Sequence, residues 1–235
     1  MDTYSLWKNW NSEDFGRFSK RESRYFAWHL QRALGTATRL NVLEIGFGNG
    51  GFMGWLRHAG HRVAGVEHNE HLLAAAKSRG FTVAGSLDKL PAETYFDLIA
   101  AFDVIEHIPV QEIQPWLGRL RSLCKPAGRL LLRCPNGDSP FGLPHQNGDV
   151  THVTSIGVSK LRQLAMASGW SVTQTGEAPW WADQHFSRSL GSALRATVRM
   201  SIESLVGYAY FHGRVDLAPN LFAVLQPAAL EAAPE

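Results

Sequence analysis

The chain has little of what marks secreted or membrane proteins. Only two cysteines, Cys124 and Cys134, occur among its 235 residues, which excludes a disulfide framework and favours a reducing compartment. No apolar run approaches the ~20 residues of a membrane-spanning helix. The first ten residues, MDTYSLWKNW, lack the basic region and hydrophobic core of a secretion signal. We therefore expect a cytoplasmic protein.

An excess of charge of either sign is also missing. The formal net charge is +2, and the 23 lysines and arginines are dispersed along the chain. The sequence therefore predicts no nucleic-acid partner. A hydrophobic fraction of 45% over this length is sufficient for the core of one α/β domain with additions, whereas two domains of ordinary size would not fit.

The sequence does contain a glycine-rich turn between an apolar strand and a helix. The stretch from Val42 to Phe52 is VLEIGFGNGGF, an order typical of loops that bind the phosphate or ribose of a nucleotide. Glycine is required there because the turn takes positive φ and because the backbone must approach a ligand closely. The glycines alone also fit the dinucleotide fingerprint G-x-G-x-x-G, which is a weak signal.

Two acidic residues help to distinguish which kind of nucleotide-binding turn the glycines form. Glu44 lies inside the first strand, where a carboxylate needs hydrogen-bond donors. Glu67 ends the next apolar strand, at about the ~20-residue distance expected of a carboxylate that binds a ribose diol. With these residues the chain resembles the class I S-adenosylmethionine-dependent methyltransferases, whose first motif, E/D-x-G-x-G-x-G, matches Glu44, Gly46, Gly48 and Gly50.

The resemblance implies that S-adenosylmethionine is the cofactor. It places the adenine near Ser86 and Leu87, although Ser86 stands where the family often has Asp. It also implies that a basic residue of the N-terminal segment, Arg24 or Arg21, binds the methionine carboxylate. The candidate cofactor-binding residues are Glu44, Gly46, Gly48, Gly50, Glu67, His68, Ser86, Leu87, Phe102 and Arg24.

A polar group follows the fourth predicted strand. Asp103, Glu106 and His107 are spaced i, i+3 and i+4, so a helical turn would place them on one face at the carboxyl end of the sheet. The matching positions of ubiquinone-type O-methyltransferases imply a divalent metal such as Mg²⁺ on these three residues. Alternatively, His107 is a general base, because an ordinary imidazole can accept a proton at neutral pH. A third interpretation is that Glu106 and His107 only cap the turn.

Residues 136–155 form a polar loop rich in glycine and proline. Such a loop is too long for a simple connection, which indicates a function. It resembles the D-x-T-H segment of methyltransferases that modify bacterial surface glycans. That resemblance implies that His145, Asp149 and His152 contact the acceptor, or that one of these histidines is the base in place of His107.

These patterns, together with the family-like Lys125-Pro126-Ala127-Gly128 turn, predict a doubly wound, Rossmann-like α/β domain. We expect a single domain with a seven-stranded, mostly parallel sheet and an antiparallel last strand. The core is predicted at 37–176 and 219–227, an N-terminal flap and helix at 1–36, and a helical insertion at 177–218.

The insertion contains a predicted basic amphipathic helix. Leu190, Leu194, Val198 and Ile202 repeat every four residues, while Arg188, Arg195 and Arg199 share another face. Such a helix packs on the domain, forms a homodimer contact, or meets a membrane surface or lipid-linked acceptor. Trp180 and Trp181 suit a sugar or aromatic acceptor.

The sequence as a whole favours methyl transfer to the hydroxyl of a sugar, a glycan or another small acceptor. One alternative is an NAD-dependent oxidoreductase, against which the position of Glu44 and the Glu106-His107 motif argue. The other is a non-catalytic ligand-binding module of the same fold, which the sequence leaves open.

Overall fold

A single mixed sheet organises the protein. The computed structural model describes residues 8, 12–91, 94–177, 190–213 and 215–229. Its seven strands lie in the order β3-β2-β1-β4-β5-β7-β6. The first five strands pair in parallel, whereas β7 runs antiparallel to both β5 and β6. The predicted fold class, with its antiparallel last strand, is confirmed.

The elements follow the predicted order with small shifts at their ends. The strands are β1 (Asn41–Ile45), β2 (Arg62–Val66), β3 (Thr82–Ala84), β4 (Phe96–Phe102), β5 (Cys124–Pro135), β6 (Trp170–Gly176) and β7 (Asn220–Pro227). The α-helices are α1 (Lys20–Leu34), α2 (Gly51–His58), α3 (Glu70–Ser78), α4 (Val110–Leu123), α5 (Leu143–Asn147), α6 (Val158–Ala167) and α7 (Leu190–Val206).

Helices cover both faces of the sheet, and alternate residues of each strand face opposite layers. Leu43 of β1 packs in the layer that contains Ile113 of α4 and Leu161 of α6. Its neighbour Val42 packs in the other layer, with Phe26 of α1 and residues of α2. The central strands are therefore buried on both sides, as expected of a parallel sheet.

Helix α1 begins at a capping box. The Ser19 hydroxyl accepts a hydrogen bond from the Glu22 amide at 3.1 Å, and the Glu22 carboxylate accepts one from the Ser19 amide at 2.7 Å. These two bonds satisfy backbone donors that the first turn leaves unpaired. The predicted N-terminal flap before this helix lies largely outside the described residues, apart from Lys8 and the segment from Ser12 onward.

The helix of the insertion contradicts one expectation. The apolar side chains of Leu194, Val198 and Ile202 are exposed, so this face does not pack on the domain. The opposite side of α7 is held instead by polar contacts, since Glu203 is buried and Arg199 pairs with it at 2.8 Å. Arg188, Trp180 and Trp181 lie outside the described residues. In the part of the chain that is described, no helix is long and apolar enough to cross a membrane.

Candidate active site

The glycine turn lies at the carboxyl end of β1 and leads into α2. Gly46, Gly48 and Gly50 have φ values of 65°, 50° and 70°, a region that other residues rarely adopt. A Cβ added to Gly46 would lie 2.6 Å from Cγ2 of Val104, and one added to Gly50 would lie 2.4 Å from the ring of Phe15. The turn therefore tolerates no side chain at these two positions.

Glu67 is connected to this turn by backbone amides. Its Oε2 accepts a hydrogen bond from the Gly48 amide at 3.2 Å, and its Oε1 accepts from the amides of His68 and Asn69 at 2.8 and 3.0 Å. The carboxylate is thus oriented at the end of β2, beside the end of β1. That arrangement fits a residue that binds two neighbouring hydroxyls of a ribose.

Glu44 lies inside β1, just before the glycine turn. Its side chain is buried, with 5% relative exposure, and its Oε2 has no hydrogen-bond partner among the described residues. Burial raises the pKa of Glu44 well above its usual value, although a hydrogen bond with the Met53 backbone opposes this and Glu67 adds to it. An unsatisfied buried carboxyl next to the turn fits a site for a positively charged ligand.

The other cofactor candidates lie along the same sheet edge or near it. Ser86 and Leu87 follow β3 and are half-buried, and Phe102 ends β4, where its ring contacts His29 and Phe52 edge-on. His68 follows Glu67 and is exposed. Arg24 lies on the exposed side of α1. The roles assigned to these residues stay predictions.

Asp103 does not lie on the helical turn that carries Glu106 and His107. Asp103 has a φ of 56°, so the helical turn starts only after it, as a 3-10 turn at Ile105–His107. Both Asp103 oxygens bind the Arg133 guanidinium, Oδ1 at 2.9 Å from Nε and Oδ2 in a short contact with Nη2. The prediction that the three residues share one face as a magnesium site was wrong for Asp103, because its carboxylate already has a cationic partner.

Glu106 is the most deeply buried acid of the site. Neither carboxyl oxygen has a hydrogen-bond partner among the described residues, and the side chain has no exposure. Burial raises the pKa of Glu106 to about 8, and the nearby negative charge of Asp103 adds to this shift. The group is therefore largely protonated at neutral pH.

His107 is linked to the loop by a chain of hydrogen bonds. Its Nδ1 lies 2.9 Å from the Thr151 hydroxyl and 3.3 Å from the Thr151 carbonyl, and the Thr151 hydroxyl donates to Asp149 at 2.6 Å. Because a carbonyl only accepts and the hydroxyl proton is directed at Asp149, Nδ1 of His107 must carry the proton. This tautomer leaves Nε2 as the basic nitrogen.

Burial, more than the surrounding charges, favours a neutral imidazole at His107. Burial lowers the pKa of His107, and His152 lowers it further, while Asp149 and the Thr151 backbone oppose the shift. Burial works against ionisation of Asp149, but hydrogen bonds from Thr151 and the ion pair with Lys8 at 3.2 Å lower its pKa below the usual value. An ionised aspartate at one end and a neutral histidine at the other form an arrangement suited to proton acceptance.

His152 completes the cluster, and His145 does not join it. The rings of His107 and His152 lie 4.6 Å apart, and Nε2 of His152 lies 3.6 Å from Asp149 and 4.0 Å from Glu106. The Gln146 carbonyl lies 3.2 Å from Nδ1 of His152. His145, on α5, is exposed and contributes no atom to this group.

The loop is fixed to the 3-10 turn by its backbone. The amides of Val153 and Thr154 both donate to the Glu106 carbonyl, at 2.9 and 3.0 Å, and the Thr154 hydroxyl donates to the Ile108 carbonyl at 2.7 Å. Residues 149–154 therefore come to the end of β4, where sequence separation alone would not place them. The acceptor contacts that the resemblance implies for this loop stay predictions.

Two residues of the site, Arg133 and Tyr25, were not identified from the sequence. Arg133 lies in the apolar strand β5, where a charged side chain requires a partner, and that signal could have identified it. Its Nη1 donates to the Tyr25 hydroxyl at 2.8 Å, so it connects α1 with Asp103. Burial opposes its charge, but Asp103 and Tyr25 raise the pKa of Arg133 well above its usual value.

The donors that could hold a metal differ from the predicted set. Ligand atoms of Glu106, His107 and His152 all lie within 4.8 Å of one another. One carboxylate and two imidazoles suit a transition-metal ion better than Mg²⁺, which prefers oxygen ligands. The residues present therefore do not fit the magnesium site expected from the sequence.

Comparison with known proteins agrees with this geometry. Residues 18–175 match a family model described as a methyltransferase domain. A ubiquinone biosynthesis O-methyltransferase of Rhodopseudomonas palustris (strain BisB5) is 29% identical over 112 residues, which are 45% of this chain. The match spans 44% of that relative, less than half of its length.

Solved structures show the same fold at low sequence identity. A SAM-dependent methyltransferase from Archaeoglobus fulgidus has a TM-score of 0.64 at 20% identity, with 96% of this chain and 100% of that chain covered. The CcbJ methyltransferase from Streptomyces caelestis has a TM-score of 0.60 at 15% identity, with coverages of 93% and 96%. Since the family model covers more than half of the residues, the chain belongs to the methyltransferase domain family, and its fold is the one seen in the S-adenosylmethionine-dependent methyltransferase from A. fulgidus.

Proposed function

We propose that the protein methylates a hydroxyl oxygen of a sugar, a glycan or another small acceptor, with His107 as the general base. The observation that carries this proposal is the hydrogen-bonded series Asp149, Thr151 and His107, which makes Nε2 the basic nitrogen. A hydroxyl is a weak nucleophile until its proton is removed, whereas an amine acceptor needs no such base. A fixed, neutral imidazole beside the glycine turn is therefore most useful for an oxygen acceptor.

Bound S-adenosylmethionine supplies an activated methyl group on a positively charged sulfur. The glycine turn and Glu67 would hold it, and the unsatisfied carboxyl of Glu44 lies behind them. The remaining task of the protein is to align the acceptor, exclude water and accept one proton at Nε2 of His107. The 149–154 segment lies against the 3-10 turn that carries His107, because the amides of Val153 and Thr154 donate to the Glu106 carbonyl.

The acceptor class is supported by several independent features. The D-x-T-H segment resembles glycan-modifying methyltransferases, and the relative from R. palustris is named an O-methyltransferase.

Both cysteines are free and buried, which fits a cytoplasmic enzyme in a reducing environment. The expected Mg²⁺ has less support, since Asp103 is bound to Arg133.

A metal-assisted reaction is the second candidate, favoured by the convergence of Glu106, His107 and His152 within 4.8 Å. In that case His107 would bind a transition-metal ion and could not accept a proton. The two candidates make opposite predictions for a chelator. The base mechanism predicts no effect, whereas the metal mechanism predicts loss of activity and recovery with Zn²⁺ or Mn²⁺.

The decisive experiment first labels the acceptor in a cell extract with a deuteromethyl donor and identifies it by mass spectrometry. Turnover of that acceptor is then compared in wild type and His107→Ala. We expect the turnover of His107→Ala to fall by about 10²–10⁴-fold. The exposed His71→Ala variant is the control and should keep the turnover of the wild type.

Because the pKa of His107 is lowered, wild-type activity should rise with pH and reach its plateau at a lower pH than an ordinary imidazole would give. Activity that is retained in His107→Ala, or abolished by a chelator, contradicts the base assignment.

A further inference from the structure

The outward face of α7 is an unusual surface. Its solvent side carries exposed apolar residues, with exposures of 64% at Leu194 and 68% at Leu205. The π-helical turn Gly207–Phe211, which follows α7 directly, adds Tyr208 at 83% exposure. The helix periodicity places Leu194, Val198, Ile202 and Leu205 within about 80° of arc. We define the apolar stripe as these residues: Leu194, Val198, Ile202, Leu205 and Tyr208. The helix is thus amphipathic, but its apolar side faces solvent and its polar side faces the protein.

The polar side of α7 is fixed to the domain, so the helix cannot turn its stripe inward. Arg199 binds Glu203 at 2.8 Å and Asp216 at 3.4 Å, and it also pairs with Glu177. Glu203 additionally accepts a hydrogen bond from the Leu217 amide at 3.2 Å. Breaking these contacts would leave the buried carboxylate of Glu203 without its cationic partner, which is unfavourable. Within the described part of the chain the stripe therefore stays exposed to water unless another molecule covers it.

The size and charge of the stripe favour a second copy of this chain. The five side chains expose on the order of 600 Å² per copy, near the roughly 600–1,000 Å² that each partner contributes to a specific interface. The stripe extends over about 20 Å of helix, and two copies can align antiparallel about a two-fold axis, so that each stripe meets its own counterpart. The small net charge of +2 gives little repulsion between copies.

A membrane surface is a poorer match. Helices that lie in a membrane interface carry lysines and arginines around the apolar face, which attract anionic lipids. Within residues 194–211, Arg195 is the only exposed lysine or arginine, and Arg199 is already bound to three carboxylates. We propose that the apolar stripe of α7 is a homodimer interface in which two copies of the helix pack antiparallel.

The test uses the full-length protein and analytical ultracentrifugation over a range of concentrations. The wild type should show a monomer–dimer equilibrium. Replacing Val198 and Leu205 with serine should raise the dimer Kd at least about a hundredfold, because each change removes apolar contacts from both copies. Both side chains are exposed, so folding should not suffer. Met166→Ser, at a residue of α6 that is 77% exposed, is the matched control and should leave the Kd unchanged.

A cross-link locates the contact. Ser201 is exposed, lies midway between Leu194 and Tyr208, and borders the stripe, while the native cysteines are buried. Under mild oxidation Ser201→Cys should form a disulfide-linked dimer, and Ser159→Cys on α6 should not. A protein that is monomeric at all concentrations, or a dimer unaffected by the double substitution, overturns the proposal. So does a monomer that binds vesicles of phosphatidylcholine and phosphatidylglycerol, which would assign the stripe to lipid.

Discussion

The protonation of Glu106 can be tested by replacing it with its uncharged isostere, glutamine. In the folded protein the group has a pKa of about 8, against 4.5 for the ordinary carboxyl. Between these two values the folded state binds more protons than the unfolded state, so the wild type loses stability as pH rises. Glu106→Gln has no proton to lose at this position and should not show this loss.

The size of the effect follows from the shift. At about 1.4 kcal/mol per pKa unit, the full difference between the two pKa values corresponds to at most roughly 5 kcal/mol. Between pH 5 and 7.5, the stability of Glu106→Gln relative to wild type should increase by up to about 3 kcal/mol. Among the described residues neither carboxyl oxygen has a hydrogen-bond partner, so the substitution breaks no hydrogen bond of the side chain there.

Urea unfolding followed by tryptophan fluorescence at several pH values measures the difference. The exposed Glu112→Gln on α4 is the matched control and should keep the pH dependence of the wild type. A stability difference that does not change with pH would refute the reasoning. A variant that is destabilised at neutral pH would show instead that the Glu106 carboxylate has a stabilising partner in the folded protein, for which His152, with its Nε2 4.0 Å away, is the nearest candidate by geometry.

Two further predictions concern the cofactor and the loop. In calorimetry Glu67→Ala should bind S-adenosylmethionine more than tenfold more weakly than wild type, because it loses charge-assisted hydrogen bonds to the ribose. The exposed Glu70→Ala is the control and should bind as the wild type does. Equal affinity of the two variants would exclude the assignment of Glu67 to the ribose. His152→Ala should lower turnover much more than His145→Ala, with donor affinity nearly unchanged in both, because only His152 lies in the cluster with Glu106 and His107. The reverse order of turnover would transfer the acceptor contact to His145.

Much of the fold could be predicted because its signals are local. The glycine turn, the apolar strands and the glycines that end helices depend on backbone conformations that few residues can adopt. The position of Glu67 was predictable for the same reason, since it follows a strand next to that turn and accepts a hydrogen bond from the Gly48 amide. Its contact with the ribose stays a prediction.

The errors came from partners distant in sequence. The i, i+3, i+4 spacing of Asp103, Glu106 and His107 assumes one continuous helical turn, but Asp103 has positive φ and binds Arg133, 30 residues later. Local spacing carries no information about that partner. The α7 helix shows a second limit: periodicity reveals an apolar face, whereas the ion pairs of Arg199 decide which side meets the domain.

The position of β7 has a consequence for the order of folding. This strand is the last along the chain, yet it lies between β5 and β6 and pairs with both. Strand β6 has no neighbour in the sheet until β7 is present. During synthesis, β1 to β5 can pair as they emerge, but β6 must wait until residue 227 has left the ribosome. Synthesis of β7, rather than formation of the half that contains the glycine turn, should therefore limit when the complete sheet first exists.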